Sequence, residues 1–135
     1  MDDRTSKILA IRPEIPSARF DENTSDDERF QNETLRPVIK FQNHLFIEAF
    51  KNYIGKHKNA FFELSIEKRL TYIEHAIQKD IKFRNSLKGM IIGQFSIEEY
   101  QTYIKNSSAL NKRMMAMVIE RLKDQVQAME QPVLF

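Results

Sequence analysis

The sequence predicts an all-α protein, an up-and-down bundle of about five helices with a long central helix kinked at Pro37 and an extended N-terminal arm. Two observations favour this class. The 135 residues include three glycines and four prolines, too few for the frequent turns between the strands of a sandwich or barrel. Apolar residues also recur at spacings of three and four, as on the buried side of a helix. At this length a single domain is expected.

The N-terminal arm is predicted over residues 1–24. This segment has no helical period, and Pro13 and Pro16 favour extended backbone around them. Its apolar side chains are too numerous for a fully solvated tail. We therefore expect the arm to be partly disordered or docked, either on its own chain or on a second subunit. The bundle domain then occupies residues 25–130, and residues 131–135 form a C-terminal tail.

The central helix is predicted to begin at Ser25, which has capping-box spacing with Glu28. It should continue to residue 53 or 54, and Gly55 should end it as a left-handed cap. Pro37 lies inside this span. Because proline cannot donate a hydrogen bond to the carbonyl four residues earlier, and its ring crowds that carbonyl, we expect a kink there.

A repeated tripeptide sets the predicted face of this helix. Phe-Gln-Asn begins at Phe30 and again at Phe41, about three helical turns later. The two rings should therefore lie on one wide, buried apolar arc, with Leu45 beside them. Gln31 and Gln42 fall near the middle of that arc, where an unpaired amide costs about 1–3 kcal/mol. Either both amides have specific partners, or they line a wet ligand pocket with Phe41 and Leu45.

Four shorter helices should follow, each with its own start signal. Ser65 precedes a narrow apolar stripe, Asp80 can cap the next helix, and Ser96 forms a second capping box with Glu99. The last helix is predicted over residues 109–129 and has a broad apolar arc. Two arcs this wide are hard for three shorter helices to cover, so we expect a homodimer interface to complete them.

The composition excludes several kinds of chemistry. The absence of cysteine removes disulfides, thiolate metal sites and cysteine nucleophiles, and it favours a reducing, cytoplasmic setting. No apolar run is long enough for a signal peptide or a membrane span. His44, His57 and His75 are interpreted as surface residues, so no metal or cofactor site is expected.

The case for nucleic-acid binding depends on a helix-turn-helix interpretation. Two helices of suitable length flank a turn at residues 106–108, and Lys112 and Arg113 would open the second helix, where recognition residues usually lie. Acidic residues follow on that helix, however. The basic residues between positions 79 and 88 have no interleaved aromatic platform. Nucleic acid is therefore the less favoured partner.

Three segments, ERFQNETLRPVIKFQNHLF, FRNSLKGM and YIKNSSALNKRMM, resemble a family of small bacterial proteins that is similar over nearly the whole chain. Many members carry the label glyoxalase, and the resemblance implies a shared all-helical fold. The motifs of known glyoxalases and of the following hydrolase are missing here: strand-borne His and Glu, His-x-His-x-Asp-His, or a nucleophilic cysteine. No catalytic residue can be carried over from the resemblance.

The sequence therefore favours a non-catalytic interaction protein or small regulatory protein that self-associates or binds another protein. The alternative is a small-molecule binder, or a lyase-like enzyme of the glyoxalase-labelled kind, with a pocket near Gln31 and Gln42. A helix-turn-helix-like nucleic-acid binder is the third hypothesis. No cofactor and no membrane association are expected.

Overall fold

The computed structural model describes residues 2–15 and 24–130, and within these residues it is helical without any β-strand. The all-α prediction is confirmed. The described α-helical segments are α1 (Asp3–Ile11), α2 (Asp26–Phe30), α3 (Arg36–Phe41), α4 (Asn43–Lys56), α5 (Ile66–Lys79), α6 (Ile81–Ile92), α7 (Ile97–Tyr103) and α8 (Ser107–Asp124). A π-helical turn lies at Gln31–Leu35, and 3₁₀ turns lie at Ala60–Glu63, Ile104–Asn106 and Val126–Ala128. The predicted tail, residues 131–135, lies outside the described residues.

Side-chain caps confirm the predicted helix starts. Ser25, Ser65 and Asp80 each accept a hydrogen bond from the backbone N–H three residues later. Ser96 and Glu99 form the full reciprocal box, in which each side chain accepts from the other residue's backbone N–H. These bonds satisfy N–H groups that have no partner within the helix. Each start is therefore set by residues close together in the sequence.

The predicted left-handed cap at Gly55 is wrong. α4 continues to Lys56, and the positive φ values belong to Lys58 and Asn59, at 62° and 59°. The Asn59 N–H reaches back to the carbonyl of Ile54 at 3.0 Å, so the chain closes the helix one turn later than expected. Asparagine is among the residues that accept left-handed backbone most readily.

The predicted extended arm is also wrong over most of its described length, because Asp3–Ile11 form α1. Asp2 caps this helix, and its carboxylate accepts from the Thr5 N–H at 2.8 Å. The helix ends ahead of Pro13, which disfavours helical backbone in the residue before it. Proline therefore stops the helix and does not keep the whole segment extended. Since so short a helix is marginal alone in water, docking on the bundle must stabilise it.

The long central helix is interrupted on both sides of Pro37, by a π turn before it and by a break after α3. The π turn precedes it, with the Arg36 N–H bonded to the carbonyl of Gln31, five residues back. Pro37 then lies in the first turn of α3, where a missing N–H costs little. After α3, Gln42 leaves helical geometry at φ −88° and ψ 4°.

These interruptions change which residues of the central helix are buried. A π turn inserts an extra residue, which rotates the following side chains by about 100° relative to a straight helix. Val38, Ile39 and Phe46 are buried, whereas Phe41 and Leu45, which follow the same π turn, are 44% and 45% exposed. The prediction that Phe41 and Leu45 belong to the buried arc is wrong.

The core is arranged around α8, which packs against α4, α5, α6 and the π turn. The predicted apolar arc of α8 is confirmed, and the single chain covers it without a second subunit. Its buried residues are Leu110, Met114, Met115, Val118, Ile119 and Leu122. Among the described helices, none is long and apolar enough to cross a bilayer.

An aromatic cluster closes the end of the bundle where α4 meets α5 and α6. Phe50 is fully buried, and its ring centroid lies 5.5–6.2 Å from those of Tyr53, Phe61, Tyr72 and Phe83. Most of these pairs adopt edge or tilted geometries, which suit the charge distribution of aromatic rings.

Candidate interaction face and ligand grooves

Two arginine side chains hold α1 on the bundle. Arg4 donates to the carbonyls of Gly93 and Phe95 at 2.9 and 2.6 Å, and Arg12 donates to the carbonyl of Gln94 at 2.8 Å. These three consecutive carbonyls follow the C-terminus of α6, where the negative end of the helix dipole favours a cation. α1 is therefore docked on its own chain.

Glu99 also holds α1 on the bundle, because it binds Arg12. Arg12 donates to both of its carboxylate oxygens at 2.5 and 2.9 Å, while the Thr34 hydroxyl and the Ser96 N–H donate to one oxygen each at 2.9 and 2.8 Å. The Arg12 and Glu99 side chains are only 9% and 18% exposed. An oxygen pair occupied in this way acts as a structural anchor.

The protonation state of Glu99 agrees with that role. Burial raises the pKa of its carboxyl, but the hydrogen bonds from Arg12, Ser96 and Thr34, together with the Arg12 charge, outweigh burial and hold the pKa below its usual range. The group is therefore ionised at neutral pH. Sequence analysis identified Glu99 only as part of a capping box and missed its link to Arg12, 87 positions away.

The docked α1 forms an apolar face with the central helix. Ile8, Ile11 and Phe41 line one small void, and Leu45 follows Phe41 one turn later. Ile11 is 55% exposed, and Phe41 and Leu45 are nearly half exposed. We call Ile8, Ile11, Phe41 and Leu45 the Phe41 face. Since large exposed apolar patches on soluble proteins mark interaction sites, this face is a candidate interaction surface.

Both glutamines that the sequence analysis singled out have partners. The Gln42 amide donates to the carbonyl of Met90 at 2.8 Å, and the Gln31 carbonyl oxygen accepts from Arg113 at 2.7 Å. The expectation of specific partners is therefore confirmed for both side chains. Gln42 ties the break after α3 to α6, whereas Gln31 ties the π turn to α8.

Gln31 also lines an open groove between the π turn, α3 and α8, with a volume of about 730 Å³. Arg36, Arg113 and Arg121 lie along it, Glu120 and Asp124 supply acidic groups, and Ile39 and Met117 supply apolar surface. We call it the Gln31 groove. Gln42, Phe41 and Leu45 lie outside it, so the structure does not bring the four predicted ligand residues together.

The residues proposed for nucleic-acid recognition are not both free. Arg113 is partly buried and bonded to Gln31, and Lys112 is exposed. The solvent-facing row of α8 contains Lys112, Ala116, Glu120 and Asp124, so one base shares that row with two acids. Since affinity for nucleic acid comes largely from neutralising phosphates, this row of α8 is poorly suited to a DNA groove.

A cleft of about 1130 Å³ lies between α1, α2 and α7. Its lining includes Asp26, Asp27 and Glu33, and Glu99 lies among them with its oxygens already bonded. Among residues 2–15 and 24–130, no group of three or more His, Asp or Glu side chains could hold a metal ion. His44, His57 and His75 are exposed, as predicted.

Comparisons of this chain with protein-family models, with curated proteins and with solved structures found no match. Functional inference therefore depends on the geometry of the molecule.

Proposed function

We propose that this chain is a non-catalytic interaction protein that self-associates through the Phe41 face. The observation that carries the proposal is the exposure of Ile11 and Phe41, which line the same small void, and of Leu45, which follows Phe41 by four residues on the central helix. Full burial of a large apolar side chain is worth about 1.5–3 kcal/mol. Covering three half-exposed side chains on each of two copies therefore supplies a substantial driving force.

The arrangement of charges around the face suits a second copy of the same chain. Along the central helix the order is Lys40, Phe41, Leu45 and Glu48. A two-fold axis through the face would place Lys40 of one copy against Glu48 of the other, beside the exposed 3.5 Å pair that Glu48 forms with Lys51 of its own chain, and repeat the contact in reverse. Such pairing at a polar rim favours one orientation over others.

The docked α1 contributes to the proposed interface directly. Ile8 and Ile11 come from α1, whereas Phe41 and Leu45 come from the central helix. The Arg12–Glu99 pair ties α1 to α7, and the Thr34 hydroxyl ties the same carboxylate to the central helix, so little ordering is needed when a partner binds. Reduced ordering on association raises affinity.

The test is the sedimentation of the wild-type chain and of a Phe41→Ser/Leu45→Ser double variant over a concentration series. We expect a dimer of the wild type at about tens of micromolar, which corresponds to a modest association energy. The double variant should remain a monomer and keep the wild-type circular dichroism spectrum.

The matched control is Ile97→Ser/Ile104→Ser, which removes two other exposed apolar side chains, 47% and 54% exposed. This variant should dimerise like the wild type. A wild-type monomer throughout the series would contradict the proposal. Loss of the dimer in the control alone would move the interface to α7 and the 3₁₀ turn that follows it, and would also contradict the proposal.

The Gln31 groove supports a second candidate function, binding of a small anionic molecule. Three arginines line it, and the Arg113–Gln31 hydrogen bond holds one of them in place. Guanidinium groups bind carboxylates through paired hydrogen bonds. Isothermal titration with octanoate and octylamine tests this candidate: octanoate should bind, Arg36→Gln should weaken it, and Lys112→Gln should not. Equal binding of both amphiphiles would contradict it.

A further inference from the structure

A third surface, the open cleft between the end of α4, the end of α5 and the start of α6, has a different character. Its volume is about 800 Å³, and its lining includes Tyr53, His57, Tyr72 and His75. Lys79 and Lys82 border it from α5 and α6. We call it the Tyr72 cleft. The sequence analysis found these lysines without an aromatic platform, because the aromatic residues come from other helices.

The cationic groups of the Tyr72 cleft are not neutralised by the protein. Neither Lys79 nor Lys82 forms an ion pair with a carboxylate of the described residues. Asp80 is the carboxylate that lines the cleft within this part of the chain. Its oxygens accept from the Phe83 N–H and the Tyr53 hydroxyl, both at 3.2 Å, so it is directed into the cap of α6.

The aromatic groups present both a stacking surface and a free donor. The Tyr53 ring lies between His57 and Phe83, with centroid distances of 4.2 and 4.3 Å, so it supports His57 from one side. His57 itself is exposed, and its outer face is open to a ligand. The Tyr72 hydroxyl has no hydrogen-bond partner in the described part of the chain.

We propose that the Tyr72 cleft binds a small aromatic anion of the nucleoside monophosphate class. The planar base stacks on His57 and packs beside Tyr72, and the phosphate binds Lys79 and Lys82. Stacking on an aromatic side chain tolerates any base, while the two ammonium groups supply charge-assisted hydrogen bonds to phosphate oxygens. The exposed Ile81 side chain at the rim, 69% exposed, adds apolar contact for the sugar or base.

The same chemistry occurs in a free nucleotide and in a nucleotide within a single strand. The cleft is bounded by three helix ends, and the exposed row of α8 does not extend it as a basic track. A cleft bounded by three helix ends suits a ligand of one nucleotide, so we commit to the free mononucleotide. This proposal is independent of self-association, because the Tyr72 cleft and the Phe41 face share no residue.

The experiment is a ¹⁵N NMR titration of the full chain with AMP, adenosine, inorganic phosphate and an oligothymidylate. AMP should bind saturably, with shifts at residues bordering the cleft, and about tenfold more tightly than adenosine or phosphate, since each lacks one half of the contacts. Tyr72→Phe should weaken AMP binding by a smaller factor than replacement of Lys79 and Lys82.

The decisive variant is Lys79→Gln/Lys82→Gln, and Lys105→Gln/Lys112→Gln is its control because both replaced lysines are exposed elsewhere. The Lys79→Gln/Lys82→Gln variant should bind AMP about tenfold or more weakly, and the control variant should keep the wild-type affinity. No shifts with millimolar AMP would overturn the proposal. Equal weakening by both variants would do so as well, as would binding of the oligonucleotide without binding of AMP.

Discussion

The two ends of this bundle are held together by opposite kinds of interaction. At the α1 end, Arg4 and Arg12 bind three backbone carbonyls, and Arg12 forms a buried ion pair with Glu99. At the other end, Phe50 packs among four aromatic rings. The first end depends on a few directional, charged contacts, whereas the second depends on apolar surface shared among many side chains.

This difference predicts different responses to mutation and to pH. Removing one partner from a charged, directional contact leaves the other partner without a hydrogen bond. At the α1 end, a single substitution should therefore undock α1 and leave the rest of the domain folded. Removing a ring from the aromatic cluster leaves a cavity inside the core, so the whole domain should lose stability. The proposed sites follow the same division, with an apolar face beside the polar anchor and a basic cleft beside the aromatic cluster.

The largest effect is expected from Phe50→Ala. Phe50 is fully buried, and truncating a buried phenylalanine typically costs about 3–5 kcal/mol of unfolding free energy. Urea denaturation measures the loss. Phe41→Ala is the matched control, because Phe41 is 44% exposed, and at protein concentrations below those of self-association it should cost a small fraction of that amount. Similar losses in the two variants would refute the contrast between buried and exposed rings.

Arg12→Ala should have the next largest effect. It removes hydrogen bonds to Glu99 and to the Gln94 carbonyl, and a bond to a charged group is worth about 1.5–3 kcal/mol. Hydrogen exchange should show fast exchange throughout α1 while α8 stays protected. Lys7→Ala is the control on the same helix, since its pair with Asp3 is largely exposed and of little worth. Slow exchange of α1 in Arg12→Ala would show that apolar contacts hold this helix.

Low pH should undock α1 before the rest of the domain unfolds. The folded-state pKa of Glu99 lies below the ordinary value of 4.5, so its ionised form stabilises the fold fully above that pH, and the contribution disappears as pH falls through the lower value. The Asp2 carboxyl, which caps α1, also has a lowered pKa because of hydrogen bonds from the Thr5 N–H and hydroxyl. Hydrogen exchange between pH 5 and 3 measures the release.

In Glu99→Gln, the ion pair is already lost, so the acid-dependent release should shrink to the contribution of Asp2. If Glu99→Gln and the wild type show the same acid response, Glu99 is not the group that links α1 stability to pH.

High pH should destabilise the aromatic end of the bundle, and this is the smallest of the four expected effects. Burial, followed by the hydrogen bond to Asp80 and its charge, raises the pKa of Tyr53 to about 12. The neutral phenol therefore stabilises the fold fully below the ordinary value of 10, and this contribution is lost as pH rises toward 12. A tyrosinate absorbance titration should lose its most alkaline step in Tyr53→Phe. An unchanged titration would show that another tyrosine carries that step.

Sequence reasoning succeeded where the deciding contacts join residues that are close together in the sequence. The caps at Ser25, Ser65, Asp80 and Ser96 were all predicted, because each side chain bonds a backbone N–H three residues later. The apolar arc of α8 was predicted as well, because that helix is regular over the residues concerned. It failed on the central helix, where Phe41 and Leu45 are 44% and 45% exposed instead of joining the buried arc.

The candidate sites were less accessible to prediction than the helices. Gln31 was predicted as a ligand residue, whereas its partner Arg113, 82 positions away in the sequence, was assigned to nucleic-acid binding. The Tyr72 cleft went unnoticed because its aromatic and cationic groups lie on different helices. No local pattern indicates that such groups will meet.

The sequence by itself determined that the chain is helical and where most of its helices begin, since capping bonds and apolar periodicity act over a few residues. Only the tertiary structure decided that the N-terminal segment docks as a helix, which face of the central helix reaches the core, and which charged and aromatic groups share a surface. Those outcomes depend on contacts between distant parts of the chain, and the free energy of those contacts exists only once the bundle has formed.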